Sequence, residues 1–186
     1  MTNRNIVRLS AAAIAATVAT TLPAVPPASA GPLVAGAATR TPAGRQHLSP
    51  FDCLARAIYF EARSEPLEGQ AAVGRVILNR VDDGGFPATV CAVVYQGSSA
   101  RNRCQFSFAC DGLSDRIREA AAWRTAQDVA RRALACRAGC RTGGLGDRTI
   151  GKATHFHTTD VAPGWSAQFR KAGRIGRHIF YAPWRG

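Results

Sequence analysis

The chain has 186 residues and a formal net charge of +12 at pH 7, from 24 Lys and Arg against 12 Asp and Glu. Its length allows one domain with a proper hydrophobic core. Basic charge attracts polyanions over long range. Nucleic acid is the usual partner for a cytosolic protein of this charge, but the first residues indicate export. Export argues against nucleic acid and favours an anionic wall or membrane surface.

Residues 1–30 are predicted to be a secretory signal peptide. Arg4 and Arg8 form a basic start, residues 9–22 form an apolar Ala-rich stretch, and Ala28-Ser29-Ala30 fits a cleavage site. The apolar stretch is shorter than the roughly 20 residues that a membrane-spanning helix needs, and prolines follow it at once. We therefore expect a secreted or periplasmic protein without stable membrane insertion after cleavage.

The cysteines fit an exported protein, because an even number in an oxidising compartment indicates disulfides. They are Cys53, Cys91, Cys104, Cys110, Cys136 and Cys140. The sequence does not select among the possible pairings, although the local pairs Cys104/Cys110 and Cys136/Cys140 are sterically plausible. No C-x-x-C pair is present, which argues against a zinc ribbon.

A helix is predicted to open the folded domain. Residues 31–48 are rich in Ala, Gly, Thr and Pro and indicate a flexible linker, so the domain covers residues 49–186. Ser49 suits a helix cap, Pro50 suits the first helical position, and apolar residues then recur at helical spacing. The helix is expected to end two or three residues before Pro66, because proline biases the preceding residue away from helical geometry.

Two further helices follow in the predicted order. One runs over residues 66–81 and is broken by Asp83-Gly84-Gly85. Residues 96–113 are typical of a loop. Ser114-Asp115 is predicted to cap the other helix, which runs to about Ala135.

The last part of the domain is predicted to contain short strands. Residues 139–151 hold several glycines and are expected to be irregular. Residues 153–158 and 175–181 each suit a strand, and the second has β-branched and aromatic residues at its centre.

Glu61 is the most informative residue for chemistry. At about 100° per residue it lies about 20° from Leu54 and about 60° from Ile58, at the border of the apolar stripe. No residue at helical contact spacing from it is basic. Desolvation disfavours the charged form, so a half-buried carboxylate without a nearby cation should have a raised pKa. On helix geometry alone, a surface glutamate paired with a distant arginine explains the position better.

Four groups of motifs follow one another along the chain, and they favour a catalytic Glu61 over a surface glutamate paired with an arginine. They are 57–66 with 68–73 and 76–81, Cys104–Ser107 with Asp111-Gly112, Thr154–His157 with Pro163-Gly164-Trp165, and 175–181. Together they resemble the SleB/CwlJ cell wall hydrolase family over about residues 51–183. The resemblance implies a peptidoglycan hydrolase, with members that look like lytic transglycosylases. It also implies an α+β, mostly α, lysozyme-like single domain with a small antiparallel sheet near the C-terminus.

Glu61 matches the family's catalytic glutamate, and the resemblance implies its role. The protonated carboxyl donates to the oxygen that links N-acetylmuramic acid to N-acetylglucosamine. The carboxylate then takes the proton of the muramoyl 6-hydroxyl, which closes an anhydro ring. No cofactor is expected. A hydrolase would need a second carboxylate, and the available Asp111, Asp115 and Asp160 carry no clear motif.

Gln105, Ser107, His157 and Tyr181 are expected to bind the peptidoglycan glycan strand. Gln105 and Ser107 are neutral donors and acceptors that suit sugar hydroxyls and N-acetyl groups, although a turn between two cysteines explains them as well. Tyr181 is favoured by its family position, whereas aromatic residues of this kind are more often core residues.

The histidines leave other functions open. His155 and His157 would lie on one face of a strand, and with His178 they would suit a zinc site of a metal-dependent amidase or endopeptidase. The resemblance favours histidines that bond within the sheet or line the groove, and no metal. A cysteine peptidase is disfavoured, because the cysteines are better explained as disulfide partners. A non-catalytic wall-binding module is the remaining alternative.

Overall fold

The structure, a computed structural model, describes residues 48–99, 103–137 and 147–184. These residues form mainly α-helices, followed by a small antiparallel sheet. The helices are α1 (Pro50–Ala62), α2 (Leu67–Asp82), α3 (Val90–Val94), α4 (Ala120–Arg137) and α5 (Asp147–Ile150), with short 3-10 helices at Ser107–Ala109 and Gly164–Gln168. The strands are β1 (His155–Thr158), β2 (Arg170–Ile175) and β3 (His178–Ala182). Within the described ranges, no helix is long and apolar enough to cross a bilayer.

A capping box starts α1, and its Ser49 is the cap that the sequence predicts. The Ser49 hydroxyl accepts a hydrogen bond from the Asp52 backbone N–H at 3.1 Å, and the Asp52 carboxylate accepts one from the Ser49 N–H at 3.1 Å. Pro50 occupies the first turn, where its missing N–H costs nothing. The helix ends at Ala62, with Arg63 as its C-terminal cap. The second predicted helix is confirmed as α2.

The third long helix begins later than its sequence indicates. Ser114-Asp115 was the predicted cap, but the chain stays non-helical there and α4 begins at Ala120. The hydroxyl of Tyr59, on α1, accepts hydrogen bonds from the backbone N–H groups of Arg118 and Glu119 at 3.2 and 3.1 Å. A side chain about 60 positions away therefore satisfies the donors just before the helix, which a local pattern cannot show.

Two predictions about the C-terminal part are wrong in detail. Residues 175–181 are not one strand, because a turn at Gly176-Arg177 separates β2 from β3. Gly176 has a φ of +56°, a conformation that glycine adopts without strain, and Glu65 accepts the Arg177 N–H at 3.0 Å. Within the stretch predicted to be irregular, α5 forms, and its Ile150 is buried at 1% exposure.

The sheet has the strand order β1-β3-β2, with both pairs antiparallel. His155 lies opposite Tyr181 and His157 lies opposite Ile179, so these four side chains share one face. Phe156 lies opposite Phe180 on the other face, and Phe180 is fully buried.

The core consists of two clusters of buried apolar residues. The first lies among α1, α2, α3, α4 and the loop around Phe106. The second joins α2 to α5 and the sheet through residues such as Val76, Ile150 and Phe180. Phe156 packs against both clusters, so the sheet is attached to the helices through one aromatic ring as well as through α2.

Two disulfides constrain the described part of the chain. Cys53–Cys91 joins α1 to α3, and a bridge over a loop of this length stabilises by about 4 kcal/mol in the chain-entropy treatment. Cys104–Cys110 confirms the predicted local pair. Cys136 is also disulfide-bonded, and its predicted partner Cys140 lies outside the described residues.

Candidate active site

The Glu61 side chain lies near the C-terminal end of α1, at the border of the buried face. Ile58 and Ala62 beside it are buried, at 0% and 1% exposure, whereas Arg63 is exposed. Burial raises the pKa of the Glu61 carboxyl to about 7, and a hydrogen bond with the backbone of Ser107 opposes that rise. The raised pKa agrees with the expectation from the sequence, so the protonated form of this carboxyl is accessible at neutral pH.

A disulfide-closed loop brings Ser107 to Glu61. Cys104 and Cys110 are bonded to each other, and Phe106 and Phe108 between them are buried at 1% and 6% exposure. The Phe108 ring stacks on Phe60 of α1 with the ring centroids 4.8 Å apart. Two buried aromatic rings and a covalent closure therefore hold this loop against the helix that carries Glu61.

The same loop exposes Gln105 and Ser107. Phe106 has extended backbone geometry, with φ −121° and ψ 122°, so the side chains on either side of it point the same way. Both are exposed, while the Phe106 ring faces the core. The Gln105 carbonyl Oε1 accepts a hydrogen bond from Nη1 of Arg80 at 3.3 Å.

His157 and Tyr181 form a pair on the face of the sheet that also carries His155, where His157 is half-buried and Tyr181 is buried at 9% exposure. His157 Nδ1 lies 2.8 Å from the Thr158 carbonyl oxygen and Nε2 lies 2.9 Å from the Tyr181 hydroxyl. A carbonyl only accepts, so Nδ1 carries the proton, and in the neutral ring Nε2 accepts from the tyrosine. The ring of Trp165 lies 5.6 Å from each of the two rings, which adds a further aromatic surface.

His155 lies on the same face of the sheet and is also half-buried. Its ring contacts those of Trp165 and Phe169, with centroids 5.4 and 4.1 Å away. Burial and the positive charge of Arg80 lower the pKa of His155 to about 4. This imidazole is therefore neutral at physiological pH.

His178 does not join the other two histidines. It lies opposite Thr158 on the face that carries Phe156 and Phe180, and it is 3% exposed. Burial lowers its pKa, and its Nδ1 has no hydrogen-bond partner among the residues that the structure describes. The three-histidine site considered as an alternative is not assembled, because residues two positions apart on a strand share a face and the register places His178 on the inner one. Within the described ranges, no group of three His, Cys, Asp or Glu residues suits a metal ion.

The model of the cell wall hydrolase family matches residues 64–181. The chain belongs to that family. The matched segment covers the Cys104–Cys110 loop and the sheet as far as Tyr181, and it begins three residues after Glu61.

Curated relatives in the family include two spore cortex-lytic enzymes. The one from Halalkalibacterium halodurans is 33% identical over 144 residues, which are 77% of this chain and 37% of the relative. The one from Oceanobacillus iheyensis is 34% identical over 128 residues, which are 68% of this chain and 39% of the relative. The chain therefore spans less than half the length of the curated relatives that it matches.

Two solved structures show the same fold. The catalytic domain of the Bacillus cereus SleB protein superposes with a TM-score of 0.50 at 28% identity, covering 73% of this chain and 93% of that domain. The catalytic domain of the germination-specific lytic transglycosylase SleB from Bacillus anthracis gives a TM-score of 0.54 at 28% identity, covering 74% and 98%. The fold expected from the family resemblance, mostly helical with a small antiparallel sheet, is confirmed.

The predicted site residues lie in two groups within this family fold. Glu61 and Ser107 are joined by a hydrogen bond, with Gln105 two positions away on the same loop. His157 and Tyr181 form the second group. Arg80 links the groups, because its Nε donates to the Thr154 carbonyl at 2.7 Å while Nη1 donates to Gln105, and the Thr154 N–H donates to the Tyr181 carbonyl at 3.0 Å.

The carboxylates considered for a second acidic role are divided between two places. A surface cleft of about 440 Å³ lies beside Ser107, and Asp111 and Asp115 are among its lining residues. Asp160 lies after β1 and is paired with Arg177. Of the three carboxylates, Asp111 and Asp115 thus line the same cleft as Ser107, whose backbone contacts Glu61.

Arg80 is the member of the site whose role the sequence did not reveal. It is 5% exposed, and no carboxylate among the described residues lies within salt-bridge distance of it. Its guanidinium lies 5.2 Å from the ring centre of Phe86 and 5.4 Å from that of Phe106. The available signal was an arginine within the apolar face of α2, since a buried cation needs a compensating environment.

Gly97→Ala is expected to damage the disulfide loop, and Gly112→Ala is its matched control. Both glycines have positive φ, +81° and +79°. A Cβ at Gly97 would lie 2.1 Å from the Arg103 carbonyl oxygen, whereas one at Gly112 meets nothing within 4 Å. We expect Gly112→Ala to lower the free energy of unfolding by about 1 kcal/mol. Gly97→Ala should lower it by about 3 kcal/mol and slow catalysis, because backbone must move.

Denaturant unfolding of the two variants, with cleavage rates measured beside it, tests this expectation. Equal losses of stability in Gly97→Ala and Gly112→Ala would show that the close approach of Gly97 to Arg103 does not affect the free energy of unfolding.

Proposed function

We propose that this protein cleaves peptidoglycan glycan strands between N-acetylmuramic acid and N-acetylglucosamine, as a lytic transglycosylase with Glu61 as its acid and base. The Bacillus anthracis relative of the same fold is described as a lytic transglycosylase. The observation that carries the proposal is the half-buried Glu61 carboxyl, whose pKa is about 7 and which is bonded to the Ser107 backbone.

One carboxyl of this kind suffices for both steps of the reaction. The protonated form donates to the glycosidic oxygen as its bond to C1 of the muramoyl sugar breaks. The resulting carboxylate takes the proton of the 6-hydroxyl of that sugar, whose oxygen bonds to C1 and closes the anhydro ring. Glu61 ends protonated again, and no water enters. A pKa near the working pH serves a group that must both give and accept a proton.

The two groups of site residues are proposed to form the walls of the glycan groove. Gln105 and Ser107 stand on the side of Glu61, where their polar side chains are exposed. His157 and Tyr181 stand on the sheet with Trp165 against them. Flat aromatic surfaces with polar edges suit sugar rings, which have apolar faces and hydroxyl rims.

The metal-dependent amidase loses its geometric support, because His178 lies on the opposite face from His155 and His157. Both nitrogens of His157 are also engaged, by Thr158 and Tyr181. A wall-binding module without catalysis would not explain the site, because binding alone does not require a half-buried carboxyl with a raised pKa.

The site of action is proposed to lie outside the cytoplasm, at the cell wall. Disulfides persist in oxidising compartments, and Cys53–Cys91 and Cys104–Cys110 are both formed. The signal peptide at residues 1–30 and the linker at residues 31–48 remain predictions.

Mass spectrometry of peptidoglycan digested by the purified protein tests the proposed reaction. We expect fragments that end in anhydromuramoyl groups, without new reducing ends. New reducing ends would mean that water attacks and would direct attention to Asp111 and Asp115. Release of peptides from intact glycan would overturn the assignment in favour of an amidase.

A further inference from the structure

Arg80 determines which way the amide of Gln105 faces. A guanidinium carries only hydrogen-bond donors, so the atom that Gln105 presents to it at 3.3 Å must be the carbonyl oxygen. Burial lowers the pKa of Arg80 to about 10, and it keeps its charge at neutral pH. The Gln105 amide therefore cannot turn over without placing its own N–H groups against a cation.

Arg80 itself has little freedom to move. Its Nε donates to the Thr154 carbonyl at 2.7 Å, and the rings of Phe86 and Phe106 lie within 5.5 Å of the guanidinium carbon. The backbone of Gln105 is also held, because its N–H donates a hydrogen bond to the Gln96 carbonyl at 3.1 Å. Both the base and the tip of the Gln105 side chain are thus held.

The free end of the amide is its NH₂ group, with two donors and no acceptor. Gln105 is exposed, and the extended backbone at Phe106 turns its side chain to the same side as that of Ser107, whose backbone is bonded to Glu61. The donors therefore belong to an exposed side chain two positions from Ser107, on the loop that contacts Glu61. A sugar hydroxyl or an acetamido carbonyl oxygen can accept from two fixed donors, whereas an ammonium group has no acceptor to offer them.

From this arrangement we propose that Arg80 is a positioning residue that presents the NH₂ group of Gln105 to the acetamido carbonyl oxygen of an N-acetylated sugar beside Glu61. The proposal rests on the proposed function and specifies its substrate. The site discriminates N-acetylated glycan from the same glycan without acetyl groups, where an ammonium replaces the acetamide and offers donors to donors.

The test compares cleavage of native peptidoglycan with cleavage of chemically N-deacetylated peptidoglycan by wild type, Gln105→Glu and Gln105→Ala. Gln105→Glu keeps the shape and strengthens the bond to Arg80 through opposite charge, but it offers the groove only acceptors. The rate ratio between the two substrates is the readout, because any change in the ionisation of Glu61 affects both rates alike.

We expect wild type to prefer the acetylated glycan by about tenfold or more, the factor that a site donor left unpaired implies. Gln105→Ala should bring the ratio close to one. Gln105→Glu should reverse it, since its carboxylate pairs with the new ammonium, while its thermal unfolding stays at or above that of wild type. Lysine lacks the rigid fork that lets Arg80 bridge Thr154 and Gln105. Arg80→Lys should therefore reduce the rate ratio between the two substrates and leave the fall of the rate at alkaline pH unchanged.

A Gln105→Glu variant with the ratio of wild type would show that Gln105 only anchors the loop, and it would overturn this inference alone. A wild type that cleaves neither glycan would overturn the proposed function and the inference with it.

Discussion

Glu61→Gln is expected to lower the rate of glycan cleavage by at least about 10³-fold, because one group supplies both the proton and the base, and acid or base catalysis alone contributes about 10²–10⁴-fold. Glutamine keeps the size of the side chain, and its amide oxygen can still accept the hydrogen bond of the Ser107 backbone. The loss should therefore appear in kcat, with the KM for soluble glycan fragments nearly unchanged. Anhydromuramoyl ends released over time measure the rate.

Glu65→Gln is the matched control, four positions along the same segment. Glu65 accepts the Arg177 N–H at 3.0 Å and holds the turn between β2 and β3, and a glutamine oxygen can accept the same bond. We expect activity close to that of wild type. A Glu61→Gln variant that digests peptidoglycan as fast as Glu65→Gln would rule out Glu61 as the acid.

The rate of cleavage is expected to fall about tenfold per pH unit above pH 7, because only the protonated fraction of Glu61 can donate and its pKa is about 7. Below pH 7 this group imposes no loss. The hydrogen bond from the Ser107 backbone stabilises the Glu61 carboxylate. Removing that hydrogen bond should raise the pKa of Glu61 and shift the alkaline limb of the pH profile, the fall of the rate above pH 7, to higher pH.

Two variants of Ser107 separate the backbone from the side chain. Ser107→Pro removes the N–H, and the extended geometry of Phe106 before it is compatible with proline. Ser107→Ala removes only the hydroxyl and should leave the limb in place. Profiles of kcat against pH for both variants decide the matter, and an unshifted limb in Ser107→Pro would contradict the assigned hydrogen bond.

The same carboxyl links catalysis to stability with a definite sign. Its pKa rises from 4.5 to about 7 on folding, so the folded state holds the proton more tightly than the unfolded chain. Stability from this group is complete below pH 4.5 and is lost as the pH rises to about 7 and beyond. A shift of this size corresponds to at most about 3 kcal/mol, and to less here because the side chain is only partly buried.

Glu61→Gln should therefore be more stable than wild type at pH 8 and no more stable at pH 4. The difference between the two proteins, followed by thermal unfolding at both pH values, isolates Glu61, because all other groups titrate in both. A constant difference would mean that the carboxyl is well solvated.

Local patterns predict the elements whose signals lie next to one another in the chain. Ser49 and Asp52 cap α1 across three positions, and Pro66 lies just beyond the point where that helix ends. The border position of Glu61 follows from helical periodicity alone. The hairpin turn at Gly176-Arg177 was missed, because β-branched and aromatic residues on both sides of a single glycine read as one continuous strand.

The sequence by itself determined the helical start of the domain, the half-buried position of Glu61 and the ordered motifs that place the chain in its family. Only the tertiary structure decided that Tyr59 delays α4, that the Ser107 backbone meets Glu61, that Arg80 orients Gln105 and that His178 lies apart from the other histidines. The reason is physical. Periodicity fixes which face of an element is apolar, but a hydrogen bond between distant residues depends on how two faces dock, and no local pattern records that.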